Sequence, residues 1–559
     1  MNIYGVCFIP LDANAPRLFG FPEFLTGLAL IVLAWTIADI RYRFRISVAP
    51  VPLQSITFGV VASLGVLTIA TDLWRAQEWL VPCGNLLTPA SWQAILAGLF
   101  LFTFLSWAWF AFIRPSIFGR SNSSRFSKVL YRFILRGSPL ELAVIADELA
   151  ASVNAIIHHA TDRPVRFKGE VYEYSPSKTE RHADEILLLI ADKRFCRAIV
   201  EFAPVTAYSI FNCMSDLKKY RIKINAFASN VVSQALIDKN SFLYHEVEGY
   251  QSGLIGYQKP LSQAMFANFD LVQTVGTMLD PGYSEIRKWD AEQWEAYNRA
   301  ILMVFHGYLE SDLWNHSTVL YRAFKNISDS VSDLYKLNDG PIALDTEEIK
   351  RLRAAVDFIR ELFKALEGVR VPEYQCLRLR ENGHLYENVY DRVAGLIFDM
   401  LVHVSSVKSP QQTCWFVQHN LFWGEIFDFG ESRGQAARII QFKLRRLIYD
   451  EVKRMSPYPN FVGAKVIGLC LNIMGFELSA RTYHQNCRAL HKAVLSWVRK
   501  NYASVELYNP LVAEACLVSG ISFEKSHLRL ARTYPANGLR PQPQYVYFDL
   551  DPGSASFPT

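Results

Sequence analysis

Three apolar stretches within the first 113 residues limit what this chain can fold into. Phe24–Ile40 (FLTGLALIVLAWTIADI), Val51–Thr71 and Trp92–Ile113 (WQAILAGLFLFTFLSWAWFAFI) each approach the length a helix needs to cross a bilayer. At 1.5 Å per residue, a hydrocarbon core of roughly 30 Å takes about 20 residues. In hydrocarbon a backbone must satisfy its own hydrogen bonds, so all three stretches are predicted as transmembrane helices. The start lacks the basic region of a cleavable signal peptide, and the first apolar stretch lies too far in, so the spans are expected to remain. No ionisable side chain falls near the centre of any of them, and Asp39 sits at an end, which disfavours an ion pathway through a single copy. Gly59-x-x-x-Ser63 and Ala94-x-x-x-Gly98 are small-residue spacings that suit close packing within or between chains.

The flanking charges orient the spans. Arg41, Arg43 and Arg45 follow the first stretch, while Arg114, Arg120, Arg125, Lys128, Arg132 and Arg136 follow the third before the first acid, Glu141. Between the second and third only Arg75 occurs, near Asp72 and Glu78. Positive residues stay on the cytoplasmic side. The expectation is therefore a multi-pass protein of the plasma (inner) membrane, with its N-terminus outside and everything after about Arg114 in the cytoplasm. The six cations after the third stretch are expected to contact anionic lipid headgroups at about 1 kcal/mol each, although a plain topology anchor accounts for the same residues. Of nine cysteines, only Cys7 and Cys83 fall outside, where oxidising conditions permit a disulfide between them; two free thiols are the alternative.

The rest of the 559-residue chain has ample core material, being 51% hydrophobic, 13% aromatic and 20% charged over its length, which excludes a largely disordered protein. A net charge of +5 is mild for this size and does not point to nucleic acid. Ser138-Pro139-Leu140-Glu141 is a capping box with proline at the first helical position, leading into Leu142, Ile145, Leu149, Val153 and Ile156 at helical spacing. His158 and His159 suit its C-terminal end. Between Pro164 and Pro204, VRFKGEVYEY alternates and EILLLIADKRFCRAIVEF reads as two β runs joined near Asp192, which predicts a small sheet. Helical stripes then resume over 285–310, 315–337, 345–368, 385–405, 434–455 and 483–499. Asn460–Leu478 is apolar, but Lys465, Asn472 and Glu477 make it a buried core helix rather than a span. After about Phe523 the chain is expected to be irregular except for an edge strand at Gln544–Phe548.

The fold class expected is thus membrane-anchored and mainly α: three N-terminal transmembrane helices, then a large helical cytoplasmic region with a small α+β subdomain. The expected segments are 1–23 outside, 24–113 in the membrane, 114–137 basic and juxtamembrane, 138–280 α+β, 281–522 helical and 523–559 an irregular tail.

Three patterns carry possible chemistry. Gly430-Glu431-Ser432-Arg433-Gly434 has the G-x-S-x-G spacing of a hydrolase elbow, with Glu425–Phe429 as the strand and Gln435–Met455 as the helix. Ser432-Arg433-Gly434-Gln435 is also a capping box, which explains the serine without catalysis, and long helices precede it where a hydrolase needs parallel strands. His484, Cys487 and His491 fall at i, i+3 and i+7, so one helix face carries three possible metal ligands without a partner set. Arg378 and His384 have an R-x(5)-H spacing that resembles the ribonuclease motif of the helical HEPN family. The resemblance covers seven residues, assigns the chain to no family, and would imply a ribonuclease site at those two positions. Asn382-Gly383 marks a turn inside it. Phosphate-loop, dinucleotide-binding, H-E-x-x-H and paired C-x-x-C motifs are absent, and no cofactor is expected. The basic stretches Lys218–Lys223 and Lys443–Arg446 read as solvated charged faces before nucleic-acid contacts.

These readings favour a membrane-anchored sensor, scaffold or effector that binds anionic lipid and a protein partner, or a second copy of itself, at the inner face. A membrane-tethered enzyme, built on Arg378 and His384 or on Ser432, is the competing class, and an oligomeric pore gated by the cytoplasmic region is the third.

Overall fold

The computed structural model describes residues 2–3, 6–11, 17–37, 39–82, 88–163, 175–249, 261–310, 317–338, 340, 344–369, 388–427, 434–478, 486–536 and 541–552. The chain divides into two compact units, Met1–Gln234 and Ala235–Thr559.

The first unit opens with short strands β1 (Asn2–Ile3) and β2 (Val6–Pro10), followed by the apolar helix α1 (Phe21–Ile37), α2 (Ile40–Ser47) and the apolar helix α3 (Leu53–Ala76). Strand β3 (Leu80–Pro82) and helix α4 (Pro89–Ala108), which runs on through a π turn at Trp109–Ile113, complete this part. The strands pair antiparallel in the order β1-β2-β3, with Phe8 opposite Pro82. They tie the start of α1 to the end of α3, where Asp72 also accepts from the Phe21 amide at 2.9 Å. Phe24 and Ile31 of α1, Val61 and Leu64 of α3 and Leu96 of α4 form the bundle core.

Among the described residues two helices, not three, are long and apolar enough to cross a membrane: Leu53–Ala76 and Pro89–Ile113. The first stretch stops at Ile37 after 17 residues, which rise roughly 25 Å and fall short of a core of roughly 30 Å. It stops because Asp39 starts a new helix, its carboxylate accepting from the Ile40 amide at 2.6 Å. The small residues expected to bring helices together do not do so within the chain, since a Cβ at Gly59 or Gly98 would meet nothing within 4 Å. Close packing falls instead to Gly27 under Phe100 and Gly65 under Phe24, where a Cβ would meet ring carbons at 2.7 and 2.9 Å.

Helices α5 (Ser123–Arg136), α6 (Pro139–Ala150), α7 (Val153–His159), α8 (Lys178–Leu189), α9 (Lys193–Phe202) and α10 (Pro204–Leu217) follow, and α11 (Asn225–Ile237) leads into the second unit. The Ser138 capping box forms as the sequence predicts, with Glu141 donating its amide to the serine and accepting the Ser138 amide. The sheet expected over Pro164–Pro204 is corrected: residues 164–174 lie outside the described ones, and the two supposed β runs are α8 and α9. Ala183, Ile186 and Leu187, then Phe195, Cys196 and Ile199, are buried at helical spacing, and Asp192 caps α9 through the Arg194 and Phe195 amides. The end of α7 is not closed by its histidines. The Lys219 ammonium donates to the carbonyls of Ile157, His158 and Ala160 instead, a cation placed where the helix dipole favours one.

The second unit begins with the short helices α12 (Phe242–Gly249), α13 (Leu261–Phe266), α14 (Phe269–Val275) and α15 (Tyr283–Ile286). Longer ones follow: α16 (Ala291–Leu309), α17 (Thr318–Asp329), α18 (Glu347–Glu367) and α19 (Val389–Val404). Then come α20 (Gln411–Trp415), a π segment at Phe416–Trp423, α21 (Gly424–Phe427), α22 (Gln435–Arg454), α23 (Phe461–Met474), α24 (Arg488–Tyr508) and α25 (Pro510–Ala515). Each long apolar stripe read from the sequence contains a helix among the described residues, and Ile349, Leu352, Val356, Ile359, Phe363 and Leu366 of α18 are all buried. Helix α23 is the expected core helix, buried from Val466 to Met474. The tail after Phe523 is more ordered than expected: β4 (Ile521–Glu524), β5 (Arg529–Tyr534) and β6 (Gln544–Asp549) form an antiparallel sheet in that order, with Leu530 opposite Phe548. Arg532 of β5 is 6% exposed and donates to the Leu471 and Asn472 carbonyls at the end of α23, which fastens the sheet to that helix.

Candidate functional site

Charged side chains converge in the first unit around α2, at the end of the bundle opposite β1-β2-β3. Arg45 grips Glu148 of α6 with two parallel hydrogen bonds, Nε to Oε2 at 2.7 Å and Nη2 to Oε1 at 2.8 Å. Its third nitrogen donates at 3.2 Å to the Ala111 carbonyl in the π turn that ends α4. Arg41 adds contacts to Glu148 at 3.2 Å and Asp147 at 2.8 Å. The side chains of Arg45 and Glu148 are 17% and 8% exposed, so the pair is largely desolvated. The hydrogen bonds that Arg45 donates to the Glu148 carboxylate raise its pKa above the ordinary value. One arginine thus joins three elements: α2 between two apolar helices, the turn that ends α4, and α6.

Helix α5 lies against the same place. Asn122 donates to the Val48 carbonyl at 2.9 Å and Arg125 to that of Ala49 at 2.6 Å. The Phe44 ring of α2 meets both Phe126 and Phe133, at 5.7 and 5.9 Å. With Phe126, Leu130 and Ile134 buried, the opposite face of α5 presents Lys128, Tyr131, Arg132, Leu135 and Arg136 to the exterior. Of the six expected headgroup cations, Arg114, Arg120, Lys128, Arg132 and Arg136 are exposed. Arg125 is half-buried and committed to Ala49. Sequence reading found the cations but missed Tyr131 and Leu135, whose helical arc with Lys128 and Arg132 was the available signal.

Other expected residues fare differently. Cys83 and the side chain of Cys7 lie outside the described residues, as do Arg378, His384, Ser432 and His484. The surroundings of Ser432 do revise its reading. Of the strand expected over Glu425–Phe429, residues 425–427 are helical, so no strand forms over those three residues. The cap of α22 falls on Gly434 rather than Ser432. Its free amides, those of Gln435 and Ala436, donate to the Glu367 carboxylate at 3.1 and 2.9 Å. Cys487 stands at the cap of α24 instead of inside it, and His491 Nε2 is 2.9 Å from the Gly475 carbonyl, which can only accept. Among the described residues no cluster of histidine, cysteine and carboxylate side chains could hold a metal ion. Burial pushes the Cys414 and Cys516 thiols up to about 12, which removes the thiolate a nucleophile needs. The basic stretches are partly consumed internally: Lys219 closes α7, and Lys443, 3% exposed, pairs with Asp391 at 2.6 Å.

Comparison with protein-family models, curated proteins and solved structures finds no match for this chain.

Proposed function

We propose that this chain is a membrane-embedded binding protein, a sensor, scaffold or effector, whose helical regions engage a protein or ligand partner at the inner face of the membrane. One observation carries the reading. Only 22% of the apolar window of each long helix is buried, and Phe58, Val66 and Phe102 stand 67%, 67% and 70% exposed. A largely apolar exposed surface of this kind is tolerated in hydrocarbon and favours aggregation in water. The positive loop at Arg41–Arg45 and the run from Arg114 to Arg136 favour placing that end of the α3–α4 hairpin in the cytoplasm.

The test is crosslinking in native membranes, purification of the intact protein in detergent, and mass spectrometry of what remains bound. A stoichiometric protein or ligand supports the reading. Recovery of RNA fragments instead, lost on Arg378→Ala or His384→Ala, would replace it with a membrane-tethered ribonuclease.

A further inference from the structure

The exterior face of α5 has the composition of a helix lying in a membrane interface, with three cations beside two apolar side chains along one arc. Tyr131 and Leu135 are 50% and 55% exposed, and Lys128, Arg132 and Arg136 follow each other at intervals of one helical turn. No acid occurs between Arg114 and Leu140, and Glu185 meets α5 at Ser127, on its buried side, at 3.4 Å. The position is fixed as well as the composition. Asn122 and Arg125 hold the first turn to Val48 and Ala49, just ahead of the start of α3 at Leu53, and Phe133 holds the last turns to Phe44. The whole helix therefore stays beside α2, at the end of the bundle where α3 starts and α4 stops.

Resting on the membrane reading above, we propose that α5 is an interfacial helix that binds anionic phospholipid, with Lys128, Arg132 and Arg136 on the headgroup phosphates and Tyr131 and Leu135 set against the acyl boundary. Charge complementarity selects the anionic lipid, and the apolar pair selects a bilayer over a free polyanion, which would leave Tyr131 and Leu135 without a partner. Arg125 takes no part, because its guanidinium is engaged by the Ala49 carbonyl.

The experiment uses the full chain in nanodiscs of phosphatidylcholine alone or mixed with phosphatidylglycerol. Leu135→Cys carries bimane, corrected for label taken up by the unsubstituted chain, and brominated lipids report contact by quenching. The expected result is strong quenching in the anionic discs, weakened by high salt. Lys128→Glu, Arg132→Glu and Arg136→Glu together should lower the seating equilibrium constant by about a hundredfold or more. Salt dependence in the otherwise unaltered chain keeps the test decisive should the triple variant misfold. Equal quenching with and without anionic lipid, or none in either, would overturn the proposal. If the chain resists alkaline extraction while Leu135 stays unquenched, the interfacial helix alone fails; release of the chain by alkali fails the membrane reading itself.

Discussion

Replacing Arg45 by methionine keeps much of the side chain's apolar stem and removes its charge. Glu148, 8% exposed, then loses two charge-assisted hydrogen bonds of 2.7 and 2.8 Å, and the Ala111 carbonyl loses its donor. Breaking a desolvated pair from one side costs about 3–5 kcal/mol. Arg41, 3.2 Å from Glu148, remains as a partner and reduces the loss. The net cost should be about 3 kcal/mol, or roughly a hundredfold in an opening equilibrium. Amide hydrogen exchange over Pro139–Ala150, measured on the detergent-solubilised protein, reads this opening directly. Exchange should accelerate by about two orders of magnitude there and remain unchanged in α23, which belongs to the other unit. Adding Glu148→Leu should recover part of the loss, since no buried carboxylate is then stranded. Unchanged exchange in α6 would refute the idea that this pair fastens the helical region to the bundle.

Gly434→Ala places a Cβ against the Glu367 carboxylate that caps α22 and should cost about 1 kcal/mol or more in thermal unfolding. Ser432→Ala, two positions before the observed cap, should stay within about 0.5 kcal/mol. Arg532→Met removes both donors to the end of α23 and should lower stability by about 3 kcal/mol, with greater proteolysis of the C-terminal strands. Burial holds the His403 imidazole below its ordinary pKa, with Lys325 and Lys465 reinforcing the shift and Asp329 and Asp399 opposing it. The unfolded chain therefore takes up the proton first as pH falls below about 6.5, and the stability His403 contributes is lost on acidification. The unfolding midpoint should drop less steeply between about pH 7 and pH 5.5 in His403→Gln than in the parent.

Local rules reached far into the helical architecture. Ser138 with Glu141 three residues on, and the stripe from Ile349 to Leu366, need only sequence neighbours to declare a helix start and a buried face. The same rules failed at EILLLI and FCRAIV, because short apolar runs fit a strand and a buried helix equally well. What decided between them was burial of Ala183, Ile186 and Leu187 against the rest of the unit, a tertiary fact. The cap at Gly434 was hidden for a similar reason: its acceptor, Glu367, lies 68 residues from Gln435. Arg45 and Glu148 are 103 residues apart, so the junction had no local signature. The cations of α5 were legible as charges, whereas the arc they share with Tyr131 and Leu135 emerged only once the buried face of the helix was known.

Alkaline carbonate extraction of native membranes tests most directly whether the apolar helices lie in a bilayer. The chain should remain with the sedimented membranes together with known integral proteins. Its release into the supernatant with peripheral proteins would contradict the account, and would turn Leu53–Ala76 and Pro89–Ile113 into helices covered by another protein.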